Sequence, residues 1–239
     1  MANLNQSEMA LFGVLRPRAL EMYLTPPTLS ETPVNNSYRW AAGVSALYRL
    51  RVYGMGKVAK TASRLTQFMR KRQFVRFTRS FEQGFARGYV LDVGPKFFLL
   101  ALQSDQLRFD GFSCFRVADV KNLGPDPYAG FKEAAFKKLR EPMPKKPRVS
   151  VACIEELLLS GSRLFPTLTI HREKVDPDVC WIGRVEGIQQ RQVALLEIGP
   201  DAKWDRKPTS YNLSEITCVE FGGEYERALH LVGGNPPAH

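Results

Sequence analysis

The sequence predicts a mainly β protein with flanking helices, arranged as two tandem small barrels. Three observations lead there. Strand-forming runs are short and closely punctuated by Gly, Pro, Asp and Asn. Two blocks of the chain recur in the same order about 95 residues apart. A Pro/Lys-rich segment, Glu141 to Arg148, separates them.

From Gln73 the chain is dense in strand formers. "QFVRFTRSF" alternates apolar and basic residues, and "RGYVLDV" continues as strand up to the Gly94-Pro95 turn. "KFFLLALQ" is an apolar run of strand length, more apolar than a half-exposed strand requires. Asp110-Gly111 reads as a hairpin signal between aromatic-rich arms, and "FRVADVKNL" as a further strand. Residues Pro127 to Arg140 carry Phe131, Ala135 and Leu139 at four-residue spacing with cations at the end, a short helix. Ser150 to Phe165 is a second helix, with Glu155 and Glu156 in its first turn complementing the helix dipole. "PTLTIHREKV", "CWIGRVEGI", "QVALLEI" and "YNLSEITCVEF" read as strands, and "GEYERALHLV" as a terminal helix or turn.

The recurrence fixes the pairing of the halves. Gly88-x-Val90 falls on Gly183-x-Val185, and Phe98 and Leu100 fall on Val193 and Leu195. One residue further out of step, Phe115-x-Val117-x-Asp119-Val120-x-x-Leu123 falls on Tyr211-x-Leu213-x-Glu215-Ile216-x-x-Val219. An internal duplication is the expectation. Glycine inside a strand suits the sharp bending or close backbone approach of a small barrel. The domain reading is a basic, poorly ordered extension over 1–68, a first barrel over 69–140, a linker over 141–149 and a second barrel over 150–239.

The opening residues differ in kind. Leu24 to Ser37 is a turn-rich linker, and Arg16, Arg18, Arg39, Arg49, Arg51, Lys57 and Lys60 are scattered among small residues with few acids. A transit peptide, a disordered basic arm, or a true start at Met55 or Met69 would each give this pattern. A dispensable extension is the expectation.

Charge and composition limit the function classes. The net charge is +10, yet residues 81–239 hold 21 basic and 21 acidic side chains, so the excess lies in residues 1–80, with 13 basic and 3 acidic. A nucleic-acid argument from net charge therefore applies only to the N-terminal third. No apolar run reaches the roughly 18 residues of a membrane-spanning helix, and a cytoplasmic protein without a membrane partner is expected. Cys114, Cys153, Cys180 and Cys218 form no C-x-x-C pair and read as reduced thiols.

The features together, a helix, a strand, Gly-x-Val opening a long second strand, a third apolar strand, then "FRVADVKNL" or "YNLSEITCV", resemble the Sm-like (SH3-like) small barrels, including their bacterial RNA-chaperone branch. From Gln73 to Val232 the chain also resembles a family of uncharacterised bacterial proteins of this duplicated plan. The resemblance implies RNA binding or assembly through strand edges. It does not carry over a uridine pocket, because "DVGPKFF" and "EGIQQRQV" lack the Asp-x-x-apolar-Asn loop of the RNA readers, and neither half has their Arg-Gly-Asp/Asn turn.

The candidate RNA- or partner-binding residues are Arg76, Arg79, Arg87, Tyr89, Lys96, Phe97, Arg116, Arg184, Arg191, Lys203 and Trp204. Aromatics interleaved with arginines provide base stacking with phosphate neutralisation; the same alternation also arises when aromatics face a core and arginines face water. The cluster His171, Glu173, Asp176, Asp178, Cys180 mixes zinc-ligand types, but its spacing matches no ligand pattern, so no metal is assigned. No Gly-x-Ser-x-Gly elbow occurs, and nothing marks Cys180 beside His171 as activated, so no catalytic residue and no cofactor is assigned. The expected function is non-enzymatic binding, of RNA or, alternatively, of protein or a second copy through strand edges and the apolar face of the first barrel.

Overall fold

A computed structural model describes residues 56–81 and 84–236. The linker expected at Leu24 to Ser37 and the basic segment up to residue 55 lie outside the described residues. Ten strands form one antiparallel sheet: β1 (Phe74–Arg79), β2 (Ala86–Val93), β3 (Phe97–Gln103), β4 (Phe109–Arg116), β5 (Val120–Pro125), β6 (Leu168–His171), β7 (Cys180–Gln189), β8 (Gln192–Glu197), β9 (Thr209–Asn212) and β10 (Cys218–Phe221). Four helices flank it: α1 (56–70), α2 (Ala129–Leu139), α3 (Ile154–Ser162) and α4 (Glu224–Gly233).

The strand order is β5-β1-β2-β3-β4-β10-β6-β7-β8-β9. Mainly β with flanking helices holds. The sheet is not closed into barrels: β4 pairs with β10 and runs the two halves into a single open sheet. Along it, β5-β1-β2-β3-β4 and β10-β6-β7-β8-β9 follow the same internal order. Local details match too. A Cβ on Gly88 would overlap the Ala101 carbonyl oxygen, and one on Gly183 that of Leu196, so only glycine lets β3 and β8 lie this close. The pairing of β2 with β3 slips between Val90 and Asp92, and that of β7 with β8 between Val185 and Gly187. Such slips bend and twist a strand.

Two cores lie on opposite faces of β3. Phe98 and Leu100 join Phe77, Phe115 and Leu65 in the first. Phe97 and Leu99 join Leu157, Leu158, Leu168, Ile170 and Val219 in the second. This explains the unusual apolarity of "KFFLLALQ": the outer face of β3 is covered by the chain's own second half. It is not left open for a partner.

Several local expectations change. Asp110-Gly111 is not a hairpin tip but lies inside β4; the tip is Ser104 to Leu107, where the Leu107 N–H donates to the Ser104 carbonyl at 3.2 Å. Gly111 takes φ 66° against the backbone of residues 221–223, and the Asp110 carboxylate accepts from the Glu224 N–H at 2.6 Å, capping α4. In α2 the buried face is Lys132 and Phe136, whereas Phe131 and Leu139 are exposed. Phe136 wins because it packs on Phe74 and Phe109, with ring centroids 6.0 and 4.9 Å away. Residues 56–68, read from sequence as the end of an extension, are helical. Leu65 is fully buried, and the Arg64 guanidinium donates to the Leu123 carbonyl at 2.6 Å. No helix among the described residues is long and apolar enough to cross a membrane.

Candidate functional site

The polar centre of the molecule is the seam where β4, β10, β6 and β7 lie side by side. Register dictates its make-up. Ser113 stands opposite Glu220, which stands opposite Thr169, which stands opposite Ile182. One pleat along, Phe115, Cys218, His171 and Cys180 form the next row. Residues two apart share a face, so both rows project to the same side, while Cys114, Val219 and Ile170 project into the second core.

A cavity of about 90 Å³ opens on that side, with Ser113, His171, Cys180, Glu220, Tyr225 and Glu226 in its wall. The Ser113 hydroxyl donates to Glu220 Oε1 at 2.8 Å, and His171 Nε2–H donates to Glu220 Oε2 at 3.1 Å. The Cys218 thiol points at Glu220 Oε1 from 4.0 Å. The Thr169 hydroxyl donates to Glu226 Oε1 at 2.6 Å.

Burial alone would lower the His171 pKa, but the charge and hydrogen bond of Glu220 outweigh it and hold the imidazole above its ordinary value. Burial pushes the Glu226 carboxyl up, and it pushes the Cys180 thiol up to about 12 with the Glu220 and Glu226 carboxylates adding to the effect. At that value the thiol is protonated at neutral pH and is no nucleophile. The arrangement is suited to holding a charged group, not to attacking one.

A second buried polar group ties the halves together beside the seam. Arg79 of β1 and Glu173, two residues beyond β6, form an ion pair with both side chains almost fully buried. The Thr217 hydroxyl also bonds Glu173. The Arg79 guanidinium lies 4.8 Å from the Phe115 ring centroid and 5.1 Å from that of Phe81. Burial would raise the Glu173 pKa, but His171, Arg79 and Thr217 together hold it below the usual carboxylate range.

The residues singled out from sequence are scattered, with one exception. Arg79 is spent on Glu173. Arg76 lies over the Phe85 ring at 4.5 Å, and Arg87 reaches Asp126 at 3.5 Å. Tyr89 stacks edge-on against Phe74, and its hydroxyl donates to Glu133 at 3.0 Å. Arg184 pairs with Glu186, and Lys203 with Asp201, each at 2.7 Å. Trp204 is half-buried, its indole N–H donating to the Gly234 carbonyl at 3.2 Å. Phe97 is buried in the second core.

The exception is one end of the sheet. Lys96 and Arg191 are exposed in the β2–β3 and β7–β8 turns. The Lys96 carbonyl accepts from the Val117 N–H at 2.9 Å; next to Val117, Arg116 donates to the Leu213 and Ser214 carbonyls at 3.3 and 2.7 Å. The Leu213 N–H donates to the Arg191 carbonyl at 3.0 Å. A continuous chain of bonds thus brings Lys96, Arg116 and Arg191 to one place.

Of the mixed cluster after β6, the structure keeps His171 and Cys180 together and disperses others. Glu173 turns to Arg79, and Asp176 to Arg172 at 3.7 Å. Sequence reading missed Ser113, Cys218 and Glu220, which complete the seam. The available signal was a glutamate at an interior position of the apolar strand "CVEF". No family model, curated protein or solved structure gives a significant match to the chain.

Proposed function

We propose that the chain is a non-enzymatic binding protein of two Sm-like units in tandem, and that it assembles with further copies of itself through its strand edges. One observation carries this reading: within the chain, the last strand of one half, β4, is already zipped to the first strand of the next, β10. Among the described residues the free edges are β5 and β9, which occupy the same places in the shared strand order as β10 and β4. An unpaired edge is a template for another strand. A second copy's β5 would follow β9 as β10 follows β4. The matching glycines and the matching register slips support the duplicated plan.

Proline variants on the β9 edge test the reading. Successive residues of an edge strand direct their N–H groups to opposite sides, so one of Thr209→Pro and Ser210→Pro blocks the outer side while leaving the β8 pairing intact. That variant is expected to sediment as a smaller species with an unchanged circular dichroism spectrum. Unchanged assembly in both variants contradicts the reading.

A second reading, single-stranded RNA binding, is favoured by the convergence of Lys96, Arg116 and Arg191 and by α1 with its following turn. Lys57, Lys60, Arg64, Arg70, Lys71 and Arg72 are all exposed, and residues 56–80 contain no acid. Electrophoretic shifts in a salt series test it. Affinity falling linearly on a log–log plot is expected, with no shift at low salt as the contrary result.

A further inference from the structure

We infer that the seam holds a soft divalent cation, Zn2+ being the best fit, on His171 Nε2, Cys218 Sγ and the Glu220 carboxylate. The backbone places these three without any loop. Cys218 and Glu220 are two apart on β10 and share a face, and His171 lies directly opposite Cys218 on β6. Their ligand atoms all lie within 4.8 Å of one another, with Nε2 to Oε2 at 3.1 Å and Sγ to Oε1 at 4.0 Å. Around a tetrahedral zinc with bonds of about 2.0–2.3 Å, neighbouring donors stand about 3.3–3.8 Å apart. Closing the set takes relative movements of no more than about 1–1.5 Å between any two donors.

Three further features point the same way. The cavity opens beside the three, with Cys180 directly opposite His171 in its wall, so a water there would supply the fourth ligand. Ser113, from the other half of the sheet, orients the Glu220 carboxylate from behind, the second-shell arrangement that metal sites use. The donor chemistry is selective: thiolate with imidazole favours zinc over magnesium or calcium. An ion pair between His171 and Glu220 alone would need no cysteine at 218. With Cys218 as thiolate and Glu220 as carboxylate, the two negative ligands balance the dication. Binding needs a bare His171 Nε2 and a Cys218 thiolate, so the thiol proton goes to solvent.

The test uses the full chain, stripped with a chelator and then titrated with Zn2+ and, separately, with Co2+ as a spectroscopic probe. One equivalent per chain is expected, with a thiolate-to-cobalt charge-transfer band. His171→Ala and Cys218→Ser should each weaken binding by at least about 100-fold, since loss of an outer-shell partner alone costs about 10–100-fold. Cys153→Ser, at the start of α3, should change nothing. Circular dichroism checks that each variant is folded. If His171→Ala does not fold, the near-isosteric Glu220→Gln decides, with about 10-fold or greater weakening expected. No stoichiometric binding, equal affinity in the ligand variants, or displacement of Zn2+ by equimolar Mg2+ overturns the inference.

Discussion

The Ser113 hydroxyl donates to the Glu220 carboxylate at 2.8 Å, joining residues 107 positions apart across the strand seam. The two side chains stand directly opposite each other where β4 meets β10. Removing the donor takes away the shorter of the two contacts to Oε1, the other being the Cys218 thiol at 4.0 Å. Ser113→Ala is expected to lower stability by about 1–2 kcal/mol in urea unfolding. A loss under a few tenths of a kcal/mol would mean that solvent replaces the hydroxyl.

The Arg79–Glu173 pair should behave differently from a surface ion pair. Both side chains are under a tenth exposed, so Glu173→Gln removes the carboxylate charge that faces the buried guanidinium. About 3–5 kcal/mol of destabilisation is expected, against at most about 1 kcal/mol for an exposed pair. A double-mutant cycle with Arg79→Met separates the pair's coupling from the effect of each change alone.

The outer face of β3 gives a sharp packing test. Leu99 belongs to the second core, so Leu99→Ala should cost about 2–5 kcal/mol. Were that face open to solvent or to a transient partner, truncation would cost little and would change binding instead.

Acid sensitivity should trace to Asp126, whose carboxylate meets the Lys132 ammonium at 2.8 Å, the Arg87 guanidinium at 3.5 Å and the Tyr128 N–H at 2.8 Å. Burial alone would raise its pKa, but the Lys132 hydrogen bond, the Tyr128 N–H and the two cations outweigh it and hold it below the usual range. A depressed folded-state value means the stabilisation is complete above the unfolded value of about 3.9 and is lost as pH falls through the folded one. Asp126→Asn should therefore cost about 2 kcal/mol at pH 7, and the gap to the parent protein should narrow below about pH 3.9. A gap that stays constant with pH would contradict the sign.

Much of the fold was legible because it is local. Gly88 and Gly183, the Gly94-Pro95 turn, the strand runs and the helices near Pro127 and Ser150 all announce themselves within a few residues. The seam did not, because β4 meets β10 only after the chain has travelled about a hundred residues, and no local pattern encodes that pairing. The misplaced Asp110-Gly111 turn has the same cause: its glycine answers to the distant backbone at 221–223. The site was half visible. His171 and Cys180 stood out by residue type, whereas Cys218 and Glu220 became their neighbours only through register.

The absolute molar mass of the full chain in solution, measured by light scattering across a concentration series, tests edge-to-edge assembly most directly. The account predicts one discrete species at an integral multiple of the chain mass, insensitive to salt. A monomer at every concentration would contradict it.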